Sequence, residues 1–223
     1  AAGPAFEGAA IGQGMRAGEG AIDRVSYHGG RWDVHVIGDV PATGICGSGL
    51  IDAVGALVQA GCLDFTGRLQ PNGALPIIRG EDQSEMISLS GPAGGEVRLS
   101  QKDIREVQLA KSAIASAIQI LLKTAGVGVG ELDALYLAGA FGQYIRKDMA
   151  KAIGLLPDID VEKIHFIGNA AYVGAELALR STIERAWIER MAGRVQYVEV
   201  AGDPEFQTIF SDHLFFPFNE QPA

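Results

Sequence analysis

The sequence predicts an α/β protein, a mixed sheet flanked by helices with a small inserted subdomain, on three observations. In the second half, short apolar runs that end in glycine alternate with longer runs of helical period, the pattern of a sheet covered by helices. The middle third is broken into short runs by turn dipeptides, which points to antiparallel pairing. Between them lies Gln101–Ala125, whose apolar residues recur at helical spacing from a capping signal to a closing glycine.

Taken in order, Ala1–Arg16 is rich in glycine and small residues and reads as loop with short strand. Ala21–Tyr27 and Trp32–Ile37 read as two strands joined by a hairpin at His28-Gly29-Gly30-Arg31. Gly49–Gln59 places Leu50, Ile51, Val54, Leu57 and Val58 on a helix face, and Gly61 stops it. Asp64–Gly95 carries the turns Thr66-Gly67, Pro71-Asn72-Gly73 and Gly91-Pro92 around strand candidates at Leu75–Ile78 and Met86–Leu89, with another at Glu96–Leu99. In the long helix Ser100-Gln101-Lys102-Asp103 resembles a capping box, Ile104, Val107, Ala110, Ile114, Ile118, Leu121 and Leu122 form the stripe, and Gly126 closes it. Ala134–Ala138 and Ile164–Ile167 read as strands, Tyr144–Ile153 and Ala170–Met191 as helices, Val195–Val200 as a strand and Pro204–Ser211 as a last helix. No second domain boundary stands out, so residues 1–223 are expected to form one lobe, with about 64–100 as the insert.

Composition narrows the function classes. Hydrophobic residues make up 48% of the 223 and charged residues 20%, enough for a sizeable core. The net charge of −9 argues against nucleic acid as a main partner, because phosphate contacts need clustered Lys and Arg. A bound nucleotide remains compatible, since main-chain amides can hold it. The two cysteines, Cys46 and Cys62, form no C-x-x-C pair, and the four histidines show no ligand spacing, so no metal site is expected. No apolar run approaches a membrane span and no signal peptide opens the chain; a cytoplasmic location and no membrane partner are expected. The start at Ala1 reads like the middle of a domain and predicts an excised piece.

Four constellations could carry chemistry. Gly44-Ile45-Cys46-Gly47-Ser48-Gly49 runs into a helix, so Gly47, Ser48 and Gly49 could offer amides to an anion; a tight turn with Ser48 capping its own helix explains the same residues. It matches neither the phosphate loop nor the nucleophile elbow. Leu137-Ala138-Gly139-Ala140-Phe141-Gly142 follows a strand and could set main chain against a ligand, or pack a helix on that strand. It is not a dinucleotide fingerprint. Gln108 and Lys111 lie one turn apart on the polar face of the long helix and could reach a ribose or adenine edge, or stand in solvent. Phe166–Ala175 has small residues that would let one helix pack closely on another.

The order of these pieces resembles the second lobe of the actin, sugar kinase and heat-shock chaperone ATPase fold. There the Gly139 turn corresponds to the adenosine motif, and Gly168–Ala175 to the second connecting motif. Ala2-Gly3-Pro4-Ala5-Phe6-Glu7-Gly8, Gly14-Met15-Arg16-Ala17, Gly44–Asp52, Gln101–Arg105 and Leu137–Gly142 resemble one family closely, over nearly the whole chain: the ferredoxin-like reductive activators of corrinoid proteins. The resemblance implies a longer protein, with an N-terminal 2Fe-2S domain and D-x-G-T phosphate motifs ahead of Ala1. It implies ATP or ADP with Mg2+ as ligand, and ATP-driven reduction of cob(II)alamin on a corrinoid partner. It further implies that Gly47, Ser48 and Gly49 face ribose and phosphate. Gln108 and Lys111 would flank the adenosine, and Gly139, Ala140, Phe141 and Gly142 would line its other side. By itself the piece is expected to hydrolyse ATP negligibly. A corrinoid-docking module with a vestigial nucleotide site, and a lobe of a small-molecule kinase, are the alternatives.

Overall fold

The computed structural model describes residues 3–28, 31–71, 77–80, 83–139 and 144–217. Strands β1 (Ala21–His28) and β2 (Arg31–Val36) pair antiparallel from Ile22↔Val36 to His28↔Arg31, with an irregularity between Ile22 and Arg24. A short β3 (Gly44–Ile45) runs parallel to the start of β1, so this sheet is mixed, in the order β2-β1-β3. Helix α1 (Gly47–Gln59) follows at once and packs on β1. It is apolar on nearly every side, and its first eleven residues are all buried.

The insert forms a second, antiparallel sheet of β4 (Ile78–Arg79), β5 (Glu85–Gly91) and β6 (Gly94–Ser100). Its entry loop is built on Asp64, whose carboxylate accepts from Thr66 N–H and Oγ, Arg68 N–H and Gln70 Nε2. Ile87, Leu89, Val97 and Leu99 join the same core as β1 and α1. The sheet lies tight against its neighbours. A Cβ on Gly95, at φ +78, would meet the carbonyl oxygen of Ala42 at 2.2 Å, closer than real Cβ contacts come, so the position needs glycine.

Helix α2 (Gln101–Ala125) starts on the predicted capping box: Ser100 Oγ accepts from Asp103 N–H at 3.2 Å and Asp103 Oδ2 from Ser100 N–H at 2.8 Å. Gly126 ends it in the left-handed region at φ 67. The buried stripe is broader than its apolar residues. It takes in Gln108, Lys111, Ser112 and Ser116, and leaves the predicted Leu121 48% exposed.

Strands β7 (Leu135–Ala138) and β8 (Ile164–Gly168) form a parallel pair, with the short α3 (Lys147–Ala152) between them. Two expectations fail beyond β8. The single helix over Ala170–Met191 is two, α4 (Ala170–Arg180) and α5 (Thr182–Ala192), broken at Ser181. Ser181 is extended, at φ −137 and ψ 121, and its side chain accepts from Glu184 N–H, a start signal that Ser181-x-x-Glu184 carries in the sequence. The strand over Val195–Val200 does not form: a 3-10 turn occupies Val200–Gly202 and no ladder runs through the segment. Val195 and Tyr197 are 78% and 84% exposed, so neither pairing nor burial favours extended structure there. The last helix, α6 (Phe206–Leu214), lies along α2.

Candidate nucleotide site

The first turn of α1 is the clearest candidate. Cys46 stands at its N-cap with no side-chain cap, which leaves the positive end of the helix dipole available to an anion. Ser48 does not cap the helix. Its hydroxyl lies 3.3 Å from the Cys46 thiol, and both are buried. A cavity of about 570 Å³ opens over this turn, lined by Cys46, Gly47 and Ser48, by Phe6–Ala9, by Met15–Ala17 and by Tyr144. The second of these loop segments is held to β3: Met15 N–H donates to Ile45 O, and Ile45 N–H to Gln13 O. Sequence reasoning did not assign Glu7, Arg16 or Tyr144 to a site. The apposition of the first loop to Gly47 depends on β3 pairing, which two residues of sequence do not announce.

Gly49 is placed differently from its neighbours. A Cβ there would sit 2.2 Å from Ile22 O and 3.2 Å from Asp23 Cα. The residue lets α1 approach the main chain of β1, so packing alone already requires glycine at this position.

Gln108 and Lys111 do not stand on an open polar face. They are 2% and 1% exposed. Gln108 Nε2 donates to Leu214 O at 2.7 Å and Thr66 O at 3.0 Å, while Arg105 Nη1 donates to Gln108 Oε1 at 2.7 Å. Lys111 Nζ donates to His213 O at 2.5 Å and Phe215 O at 2.7 Å, and lies 5.1 Å from the centre of the Phe216 ring. Burial pushes the Lys111 ammonium down to about 8. Neither side chain lines the cavity over α1. The sequence pattern could not separate a solvated face from this arrangement, because the covering segment comes from a hundred residues further on.

Gly139 sits at the end of β7 with φ +98, and its N–H donates to Gly168 O at 2.7 Å. The turn therefore leaves the sheet beside the end of β8, where ligands of open α/β sheets bind. Among the described residues, a Cβ on Gly139 would meet nothing within 4 Å. Its φ of +98 is by itself a reason for glycine here. Ala140, Phe141 and Gly142 lie outside the described residues. Asn169 caps α4 through its side chain on Tyr172 N–H, which joins the β8 exit to the helix the sequence placed there.

A second polar group lies on the other side of α1. Asp52 is buried beneath Val25, whose N–H reaches its Oδ2 at 3.3 Å, and Arg146 Nη1 is 3.9 Å away. Its Oδ1 has no partner among the described residues. Burial pushes the carboxyl up to about 7, against the Val25 N–H and the Arg146 charge. Arg146 lines a separate cavity of about 510 Å³ with Arg24, Asp33 and His35, and His35 is hydrogen-bonded to Asp23.

The comparisons with known proteins follow this arrangement. A profile of the C-terminal domain of RACo, the ASKHA domain, matches residues 1–222. The chain belongs to this family. Over 231 aligned residues it is 36% identical to the corrinoid activation enzyme RamQ of Eubacterium limosum, covering 96% of this chain and 39% of that protein. Over 204 residues it is 28% identical to a Co(II) methylated amine-specific corrinoid protein reductase of Methanosarcina barkeri, covering 82% of this chain and 35% of that one. The solved structure of a reductive activator for corrinoid, iron-sulfur protein superposes with a TM-score of 0.85 at 34% identity, over 96% of this chain and 35% of that chain. The α/β fold of this RACo-type ASKHA domain is therefore that of the solved activator. The chain spans well under half the length of the relatives it matches.

Proposed function

We propose that this chain is the nucleotide-binding portion of an ATP-dependent reductive activator. Such a protein would drive an electron from a 2Fe-2S domain, outside these residues, to cob(II)alamin of a corrinoid methyl-transfer protein in the cytoplasm. The observation that carries the reading is the 36% identity, across 96% of the chain, to an enzyme named for corrinoid activation.

The residues present fit a nucleotide better than a cluster. Two buried thiols cannot supply the four ligands of a 2Fe-2S centre. Gly47 and Ser48 at the uncapped start of α1 suit phosphate oxygens, with the Arg16 guanidinium on the facing loop. Gly139, followed by Ala140, Phe141 and Gly142, is the turn that would lie against the adenosine. Gly49 keeps α1 close to β1 and so sets where those amides point. Among the described residues no cluster of three His, Cys, Asp or Glu is placed to hold a metal ion. Mg2+ would accompany the phosphates and neutralise charge on them, with its protein ligands in the rest of the polypeptide. No described helix is long and apolar enough to cross a membrane.

The test is calorimetric titration of ADP and ATP into the complete polypeptide, with and without Gly139→Asp. The new side chain meets none of the described residues, so the fold should survive its backbone strain. A carboxylate beside the bound nucleotide should weaken affinity at least ~10-fold, about 1.4 kcal/mol. Unchanged affinity would overturn the placement of the adenosine at this turn. Absence of nucleotide binding with retained activation of a corrinoid protein would leave the docking role alone.

A further inference from the structure

The cavity over the start of α1 presents an aromatic ring to whatever enters it. Phe6 and Tyr144 are the aromatic residues among those that line it. Phe6 is 2% exposed and belongs to the hydrophobic core. Tyr144 is 66% exposed. Much of the remaining wall is small, as at Gly8, Ala9 and Ala17, and Glu7 and Arg16 carry its charges. Among the described residues, Tyr144 is therefore the flat partner that this cavity offers to a flat ligand.

The residues that follow hold the tyrosine in place. Ile145 is 8% exposed and joins the core. Arg146 stands at the N-cap of α3, with its guanidinium 2.7 Å from Asp148 Oδ2 and 3.9 Å from Asp52 Oδ2 of α1. α3 in turn packs on α1, so closely that a Cβ on Gly55 would meet Met149 Sδ at 2.8 Å. Close packing of one helix on the other thus fixes where Tyr144 stands relative to Gly47 and Ser48. In the sequence Tyr144 also lies between the Gly139 turn and α3. It links the two halves of the site: the turn assigned to the adenosine, and the cavity whose amides suit phosphate oxygens.

We propose that Tyr144 is the stacking platform for the base of the bound nucleotide. Its ring lies against the purine while the phosphates reach Gly47 and Ser48. Every base has a π-face, and removing such a ring weakens binding by roughly 5- to 150-fold. Tyr144 is then the residue that makes this cavity prefer a nucleoside diphosphate to a bare diphosphate. The inference rests on the reading that the chain binds nucleotide at this cavity.

The test uses the complete polypeptide in three forms: unsubstituted, Tyr144→Phe and Tyr144→Ala. ADP and inorganic pyrophosphate are each titrated by calorimetry. Tyr144→Ala is expected to bind ADP at least ~10-fold more weakly and pyrophosphate as before, because it loses only the partner of the base. Tyr144→Phe keeps the ring and should keep the ADP affinity of the unsubstituted protein. A second readout is the fluorescence of ethenoadenosine diphosphate at saturating protein. Stacking quenches it, so quenching should persist in Tyr144→Phe and be lost in Tyr144→Ala; this arm does not depend on pyrophosphate affinity. Undiminished ADP binding and quenching in Tyr144→Ala would overturn the stacking role and leave the nucleotide reading intact. Equal losses for ADP and pyrophosphate, or no rescue by phenylalanine, would likewise overturn it, since the ring would not be what the base contacts. No ADP binding by the unsubstituted protein would overturn both readings.

Discussion

Helix α1 and the pair α4–α5 are both rich in apolar and small residues, yet they are opposites in this structure. Eleven of the thirteen residues of α1 are buried, and none in α4 or α5 is. Leu179, Ile183 and Trp187 are 79%, 77% and 53% exposed. The difference lies in what surrounds each helix. α1 is enclosed by β1 and α3, whereas α4 and α5 chiefly contact each other. Apolar character sets what a helix can bury, and the packing around it decides whether it does.

The comparison breaks most sharply at Gly49. A valine there would drive its Cβ into the main chain of Ile22 at 2.2 Å, and strand backbone cannot yield as a flexible side chain would. Gly49→Val is expected to cost more than about 3 kcal/mol. A denaturant midpoint within error of the parent would refute the close packing of α1.

Asp52, on the same helix, gives the next effect, and it depends on pH. The carboxyl ionises near 3.8 when unperturbed and at about 7 when folded. Between these values the folded state holds a proton that the unfolded chain has lost. Stability therefore falls as pH rises across that window. Asp52→Asn keeps an acceptor for Val25 N–H and removes the titration. It should gain on the order of 1–3 kcal/mol over the parent at pH 8 and almost nothing at pH 4. Urea unfolding at both pH values would check this; parallel pH profiles would count against a buried, proton-holding Asp52.

The smallest effect is expected on α5. Trp187→Gln removes a large apolar side chain from an unburied helix, so it should shift stability by less than about 0.5 kcal/mol. A loss of several times that would mean the α5 face is covered in solution.

The candidate site was legible to different degrees. Gly47 and Ser48 drew notice because a Gly-rich stretch before a helical pattern leaves few conformations to the chain, and in the structure they line a cavity. Gly139 was found from strand-then-glycine order, and its φ of +98 beside Gly168 gives that glycine a physical reason. Glu7, Arg16 and Tyr144 were missed because they are far apart in sequence and share no spacing. Gln108 and Lys111 were read as facing either a ligand or solvent, because polar residues on a long helix are usually not buried.

The sequence by itself determined what depends on near neighbours in the chain: the β1–β2 hairpin, the capping box and Gly126 of α2, the order of strands and helices, and the glycines where the chain must turn. Those are set by local backbone sterics and hydrogen bonds over a few residues. Tertiary structure alone decided the failure of Val195–Val200 to pair, the packing role of Gly49 and the burial of Lys111 beneath α6. Each of these turns on whether a distant segment supplies a partner or a surface. The same physics explains the site: its glycines announce themselves locally, and the side chains around them are brought together only by the fold.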